Sequence, residues 1–178
     1  MWRLKDSSSL ILAGALVAGS GIAHAQVYPS SAGSLMVQTF ARGLDHPWAF
    51  AFLPDGRVLV TERPGRMRII GTDGALSPAL AGVPKVFASG QGGLHDVILD
   101  RAFVDNHTIY FCYAEPTSGG GRTALARARL MEESAPRLAE VAAIFHQDGP
   151  LSSGNHFGCR IVQAPRRAGW CLVASNRQ

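Results

Sequence analysis

The sequence predicts an all-β protein assembled from repeated antiparallel sheets. Short runs of aliphatic, aromatic and β-branched residues alternate throughout with Gly, Pro and Asp turns. The pattern recurs after about 45 to 50 residues, the range of radial repeats that stack blade on blade. No long segment carries the 3.6-residue period that would argue for alternating helices and strands. On periodicity alone, a sandwich built from the same hairpins is the competing architecture.

The N-terminus is read first. Arg3 and Lys5 precede an apolar, small-residue stretch from Leu10 to Ala23, and Ala23-His24-Ala25 stands before Gln26. This three-part pattern predicts a secretory signal peptide over residues 1–25, cut after Ala25. The apolar stretch is about 14 residues, short of the roughly 20 that a membrane span requires, so no anchor is expected after cleavage. The mature chain is expected in the periplasm or outside the cell.

Leu35 to Phe40 is the first strand-like run. Trp48 to Leu53 leads into the tight-turn signal Pro54-Asp55-Gly56, and Arg57 to Glu62 returns. Arg63-Pro64-Gly65 turns again into Arg66 to Ile70, and Thr72-Asp73-Gly74 closes the round. Four such strands predict one antiparallel sheet that cannot close on itself. The second round repeats the order with Gly93 to Leu99, Thr108 to Ala114, Arg122 to Leu130 and Val141 to Phe145, and a third opens at Phe157 to Val162.

Charge excludes one function class. The formal net charge is +4, but acidic and basic residues balance between Gln26 and Pro165. The remaining mature excess is Arg166, Arg167 and Arg177. No basic stripe interleaves with aromatics, so nucleic-acid binding is not expected. Cys112, in the apolar run around Ile109 to Tyr113, and Cys159, beside Phe157 and Ile161, read as buried thiols; a single disulfide is the open alternative, without a small-domain disulfide framework. No Cys or His spacing suits zinc, and no P-loop, dinucleotide fingerprint or nucleophile elbow is present.

Two segments remain as candidates for chemistry. Gln91 to Asp96 enters the second repeat, and Ser152 to Gly158 enters the third at the corresponding place. Strand entrances around a propeller's central channel are where side chains from different blades converge. Gln91 can donate and accept hydrogen bonds there, and His156 can take a proton near neutral pH. The alternatives are an exposed turn amide for Gln91 and a structural histidine beside Phe157 for His156. His95 reads as a structural imidazole bonded to a local carboxylate or backbone group. His46, His107 and His146 fall in a loop, a turn and a strand end.

At these residues a family resemblance emerges. The stretch from Leu44 to Arg66 (LDHPWAFAFLPDGRVLVTERPGR) resembles the opening blade of the soluble PQQ-dependent aldose sugar dehydrogenases, the glucose/sorbosone dehydrogenase family. GQGGLHDV from Gly90, IYFCYAE from Ile109, GRTALAR from Gly121 and LSSGNHFGCRIV from Leu151 follow in family order. The resemblance covers residues 35–165. It implies a six-bladed β-propeller in the intact parent, with this chain holding about the first two blades and the start of a third. It also implies a pyrroloquinoline quinone (PQQ) cofactor, with calcium (Ca2+) helping to bind and polarise it. The parent would oxidise an aldose at its anomeric hydroxyl to the lactone, by proton loss to a histidine and hydride transfer to PQQ. An electron acceptor would then reoxidise the cofactor. Motif matching places the base at His156, which also contacts the cofactor, and a second cofactor contact at Gln91. The competing functional class is a non-enzymatic extracellular propeller that binds a carbohydrate or protein partner.

The resemblance also marks what is missing. The calcium-binding segment and the later basic cofactor contacts have no counterpart in the chain, so no metal ligand is assigned. Residues 166–178 read as an anomalous tail, such as a shift of reading frame would produce. The isolated chain is expected to be an inactive truncated product.

Overall fold

The computed structural model describes residues 25–132, 135–150 and 152–164, and the backbone of 170–174. The signal peptide expected over residues 1–25 lies, but for Ala25, outside the described residues, as does most of the tail. The chain divides into a unit spanning residues 1–39 and one spanning 40–178. The first carries an antiparallel hairpin of β1 (Gln26–Ser30) and β2 (Gly33–Val37), exposed throughout.

The second unit is built from successive antiparallel sheets. β3 (Pro47–Phe52), β4 (Val58–Glu62) and β5 (Arg66–Ile70) form a three-stranded meander. β6 (Leu94–Leu99), β7 (Thr108–Thr117), β8 (Gly120–Met131) and β9 (Arg137–His146) form a four-stranded one. A single helical turn, α1 (Phe103–Asn106), joins β6 to β7 where the sequence suggested only a turn. β10 (Cys159–Gln163) pairs with β11 (Trp170–Ala174) and opens a third sheet. The turn chemistry explains the hairpins. Gly56 adopts φ +87° between β3 and β4, a left-handed conformation that a side chain rarely tolerates.

The first sheet differs from its expectation. Its predicted first strand pairs instead with Gln26–Ser30, so the sheet has three strands rather than four. The free edge of β5 is met by residues 75–80. Leu76 bridges Ile70, Ser77 N–H donates to the Ile69 carbonyl at 2.8 Å, and Leu80 N–H donates to that of Met67 at 2.9 Å. Pro78 interrupts this segment, because proline cannot donate to a sheet ladder.

The main core lies between the first and second sheets. Leu53, Leu59, Met67 and Ile69 pack against Leu94, Val97, Ile109, Phe111 and Leu130, all nearly or wholly excluded from solvent. Truncating a side chain such as Phe111 there costs about 3–5 kcal/mol. On the opposite face of the first sheet Ala41, Leu44 and Leu76 cover Val58, Val60 and Ile70, while the β3 side of that face is open. Phe50 and Phe52 are exposed, and with Phe40, Leu44, Val58 and Ile70 they line an open apolar groove of about 450 Å³. Among the described residues no helix is long and apolar enough to cross a membrane.

The preferred reading of Cys112 and Cys159 as buried thiols gives way to the open alternative, since the two form a disulfide with their Cα atoms 6.4 Å apart. They lie 47 residues apart, about one repeat, so stacking of β10 on the second sheet brings them together. The tail, too, has a structural place at 170–174, where β11 pairs residue for residue with β10.

One buried charge organises the entrance to the first sheet. The Glu62 carboxylate is fully excluded from solvent. It accepts from Arg66 Nε at 2.6 Å, Arg68 Nε at 3.1 Å and the Asp45 N–H at 2.6 Å. Burial pushes this carboxyl up, but Arg66, the Asp45 amide and Arg68 together hold it below its ordinary value. Glu62→Gln keeps the shape while removing the charge. It should lower the unfolding free energy by about 3 kcal/mol in urea titrations at neutral pH; unchanged stability would contradict a net contribution from the pairs.

Candidate active site between two blade entrances

The loop before β6 is shaped by glycine. Gly90 adopts φ +56° and Gly93 φ +142°. A Cβ on Gly93 would lie 2.3 Å from the Arg63 carbonyl oxygen, and one on Gly90 would lie 2.3 Å from that of Gly154. The two loops therefore meet backbone to backbone, which only residues without side chains allow. Arg63 fixes the loop from the first sheet, its Nη1 donating to the Gly90 carbonyl at 2.5 Å.

Gln91 and His156 meet across this contact. Gln91 N–H donates to the Gly154 carbonyl at 2.6 Å. The His156 N–H donates to Gln91 Oε1 at 2.7 Å. Because that donor is a backbone N–H, the amide oxygen must face it, and the Gln91 NH2 is left for another acceptor. Both residues are exposed. His156 holds φ +65°, which for a residue with a Cβ costs about 1–2 kcal/mol. Next to it, Phe157 is buried with its ring 5.7 Å from that of Phe87, which anchors the loop in the core. The result is an imidazole on a fixed backbone, open to solvent, beside an amide donor.

His95 lies beneath this pair. It is fully buried, and Nε2 sits 3.1 Å from the Gln91 carbonyl oxygen. A carbonyl only accepts, so Nε2 carries the proton in the neutral ring. Nδ1 is left buried without a hydrogen-bond partner among the described residues. The Trp48 ring covers it at 4.8 Å. The backbone-bonded structural role read from the sequence is what this histidine has. Burial holds it below the ordinary imidazole value, opposed by the bond to Gln91.

Sequence reasoning missed the direct Gln91–His156 bond and the part played by Asp96. This nearly buried carboxylate turns away from His95 and accepts the Ile161 N–H at 2.7 Å. A carboxylate inside an otherwise apolar run was the available signal. Among the described residues no group of three His, Cys, Asp or Glu side chains could hold a metal ion. The other histidines stay apart from the pair: His46 bonds Asp45, His107 caps α1, and His146 faces Glu115.

Stacked antiparallel blades with a polar pair at adjoining entrances define a β-propeller class, and comparison with known proteins supplies the family. The glucose/sorbosone dehydrogenase family model matches residues 44–175, and the chain belongs to that family. An uncharacterised protein of Synechocystis is 43% identical over 132 residues, 69% of this chain and 31% of the relative. The aldose sugar dehydrogenase YliI of Escherichia coli is 41% identical over 128 residues, 71% of this chain and 34% of the relative. Among solved structures, the apo form of the soluble E. coli aldose sugar dehydrogenase aligns with TM-score 0.63 and 43% identity, covering 67% of this chain and 35% of that one. The PQQ-bound aldose sugar dehydrogenase of Streptomyces coelicolor aligns with TM-score 0.63 and 26% identity, covering 78% and 39%. These relatives are β-propellers, which decides against a sandwich. The chain spans about a third of the length of the curated relatives it matches. The family match runs to residue 175, through β11 and past the point where the tail was expected to depart.

The neutral, buried state of His95 has a consequence for stability. In the unfolded chain the ring takes a proton near its ordinary value of 6.5, whereas the folded protein resists it. Its stabilising effect is complete above that value and is lost as pH falls toward the depressed folded value. His95→Gln, which keeps a donor for the Gln91 carbonyl, should flatten the fall of Tm between pH 7 and 5. Equal slopes in the two proteins would contradict this assignment.

Proposed function

We propose that the intact protein carrying this segment is an exported PQQ-dependent dehydrogenase. It oxidises an aldose at its anomeric hydroxyl to the lactone, and a separate electron acceptor then reoxidises the cofactor. The observation that carries the reading is the bond between Gln91 and His156, which sets the two expected site residues side by side on adjoining blades. Membership of the family and the PQQ-bound relative support the cofactor. The disulfide supports an oxidising compartment, as the signal-peptide pattern does.

In this reading His156 is the general base. Its backbone is pinned by Gln91 and Phe157, so the imidazole meets the sugar from a fixed position rather than a mobile loop. A ring nitrogen takes the proton of the anomeric hydroxyl as the carbon–oxygen double bond forms. PQQ, when bound, supplies the hydride acceptor. The free NH2 of Gln91 suits the oxygen-rich edge of such a cofactor, so Gln91 holds and orients it while its own oxygen stays committed to His156. Calcium is implied by the family resemblance, but the described residues form no side-chain cluster for it, and no step is assigned to it.

The 178-residue chain is proposed to be inactive by itself. The exposure of Phe50 and Phe52 on the outer face of the first sheet supports this, because a closed ring would cover them. His156 would also lack the enclosed channel that sets cofactor against sugar. With PQQ and calcium, the intact protein should show aldose-dependent dye reduction, and His156→Ala should lower kcat by about 10²–10⁴-fold. Full turnover in that variant would assign the base elsewhere, and clear sugar oxidation by the short chain would contradict its inactivity.

A further inference from the structure

β10 follows His156 by three residues, yet it shares no sheet ladder with the second blade. Its position against that blade rests on side chains. Cys159, its first residue, is bonded covalently to Cys112 of β7, which is fully buried. The Ile161 N–H donates to Asp96 Oδ2 at 2.7 Å, and the Arg160 guanidinium stands 3.5 Å from the other carboxylate oxygen. Ile161 completes a small cluster with Cys112 and Leu125, against which Ile98 and Tyr110 pack. Asp96 in β6 and Gln91 in the loop before it flank His95 at the start of the same blade, so one blade entrance grips the segment at both ends. Gln91 takes it at Gly154 and His156, and Asp96 takes it at Ile161.

We propose that Cys112, Cys159 and Asp96 are positioning residues, a covalent and hydrogen-bonded staple that sets His156 against Gln91. The proposal rests on the reading of His156 as the base. The span from His156 to Cys159 is about 10 Å when extended, so displacement of β10 is transmitted to the imidazole with little slack. His156 is held in a left-handed conformation, which the chain would leave once one grip is released. A shift of about 1 Å in a catalytic group costs on the order of 100-fold in rate, so the staple acts on kcat rather than on sugar binding.

The test uses the intact protein. Peptide mapping without reductant should recover Cys112 joined to Cys159; free thiols at both would overturn the proposal. The double variant C112A/C159A should lose about 10- to 100-fold in kcat with KM for the sugar nearly unchanged. Amide exchange in residues 154–161 of the cofactor-free protein should rise while β6 to β8 stay protected. Asp96→Leu should act in the same direction. Asp96→Asn, which keeps an oxygen for the Ile161 N–H, should restore most of the rate and the protection. If the cysteine variant does not fold, the two Asp96 variants decide alone. Unchanged kcat, or exchange that rises equally across β6 to β8, would show general stabilisation and overturn the proposal. Should the wild-type protein oxidise no aldose, the proposed function fails, while the exchange measurements still decide whether the staple holds the loop.

Discussion

The contact between the Gln91 and His156 loops couples two blades whose backbones share no ladder there. Its two hydrogen bonds run in opposite senses. The Gln91 backbone donates to Gly154, and its side chain accepts from His156. At a solvent-open entrance such bonds contribute about 0.5–1.5 kcal/mol each, so they orient the loops more than they stabilise the fold. The glycines at 90 and 154 exist for this approach, since a side chain on Gly90 would collide with the facing carbonyl. His95 supports the arrangement from below by holding the Gln91 carbonyl. A chemically exposed pair thus rests on a buried, apolar foundation.

That foundation depends on blade stacking. A three-stranded meander such as β3–β5 buries little apolar surface alone, and its stability comes from the neighbour that covers Leu59, Met67 and Ile69. The same logic applies on the next boundary, where β10 leans on the second blade. There the apolar cluster is small, and the disulfide and Asp96 supplement it. Polar and covalent links appear where the hydrophobic contact is thinnest. On the first sheet's other face Ala41, Leu44 and Leu76 cover only Val58, Val60 and Ile70, and the phenylalanines of β3 stand in solvent.

Much of this was legible in the residues. Asp55-Gly56 and Arg63-Pro64-Gly65 announced their hairpins because each turn needs a residue free of a Cβ, and Gly56 and Gly65 take up left-handed conformations there. Repetition after about 45 to 50 residues marked blade-like units. The corresponding places of Gln91 and His156 in successive repeats pointed to one location. What escaped were pairings across the repeat boundary. Cys112 and Cys159 each looked like a core thiol, because local hydrophobicity says nothing about which residue a stacked neighbour presents. Asp96 stood out as a carboxylate in an apolar run, but its partner, a backbone amide 65 residues away, did not. Strand β1, with Pro29 and serine within it, lacks the apolar alternation that marks a strand.

The central claim is that the Gln91–His156 pair forms one wall of a cofactor site. Titration of PQQ into the intact protein, followed by the cofactor's absorbance, tests it most directly. The account predicts saturable binding that Gln91→Ala weakens by about tenfold, the worth of one well-placed hydrogen bond. Absence of saturable binding, or equal affinity in both proteins, would contradict it.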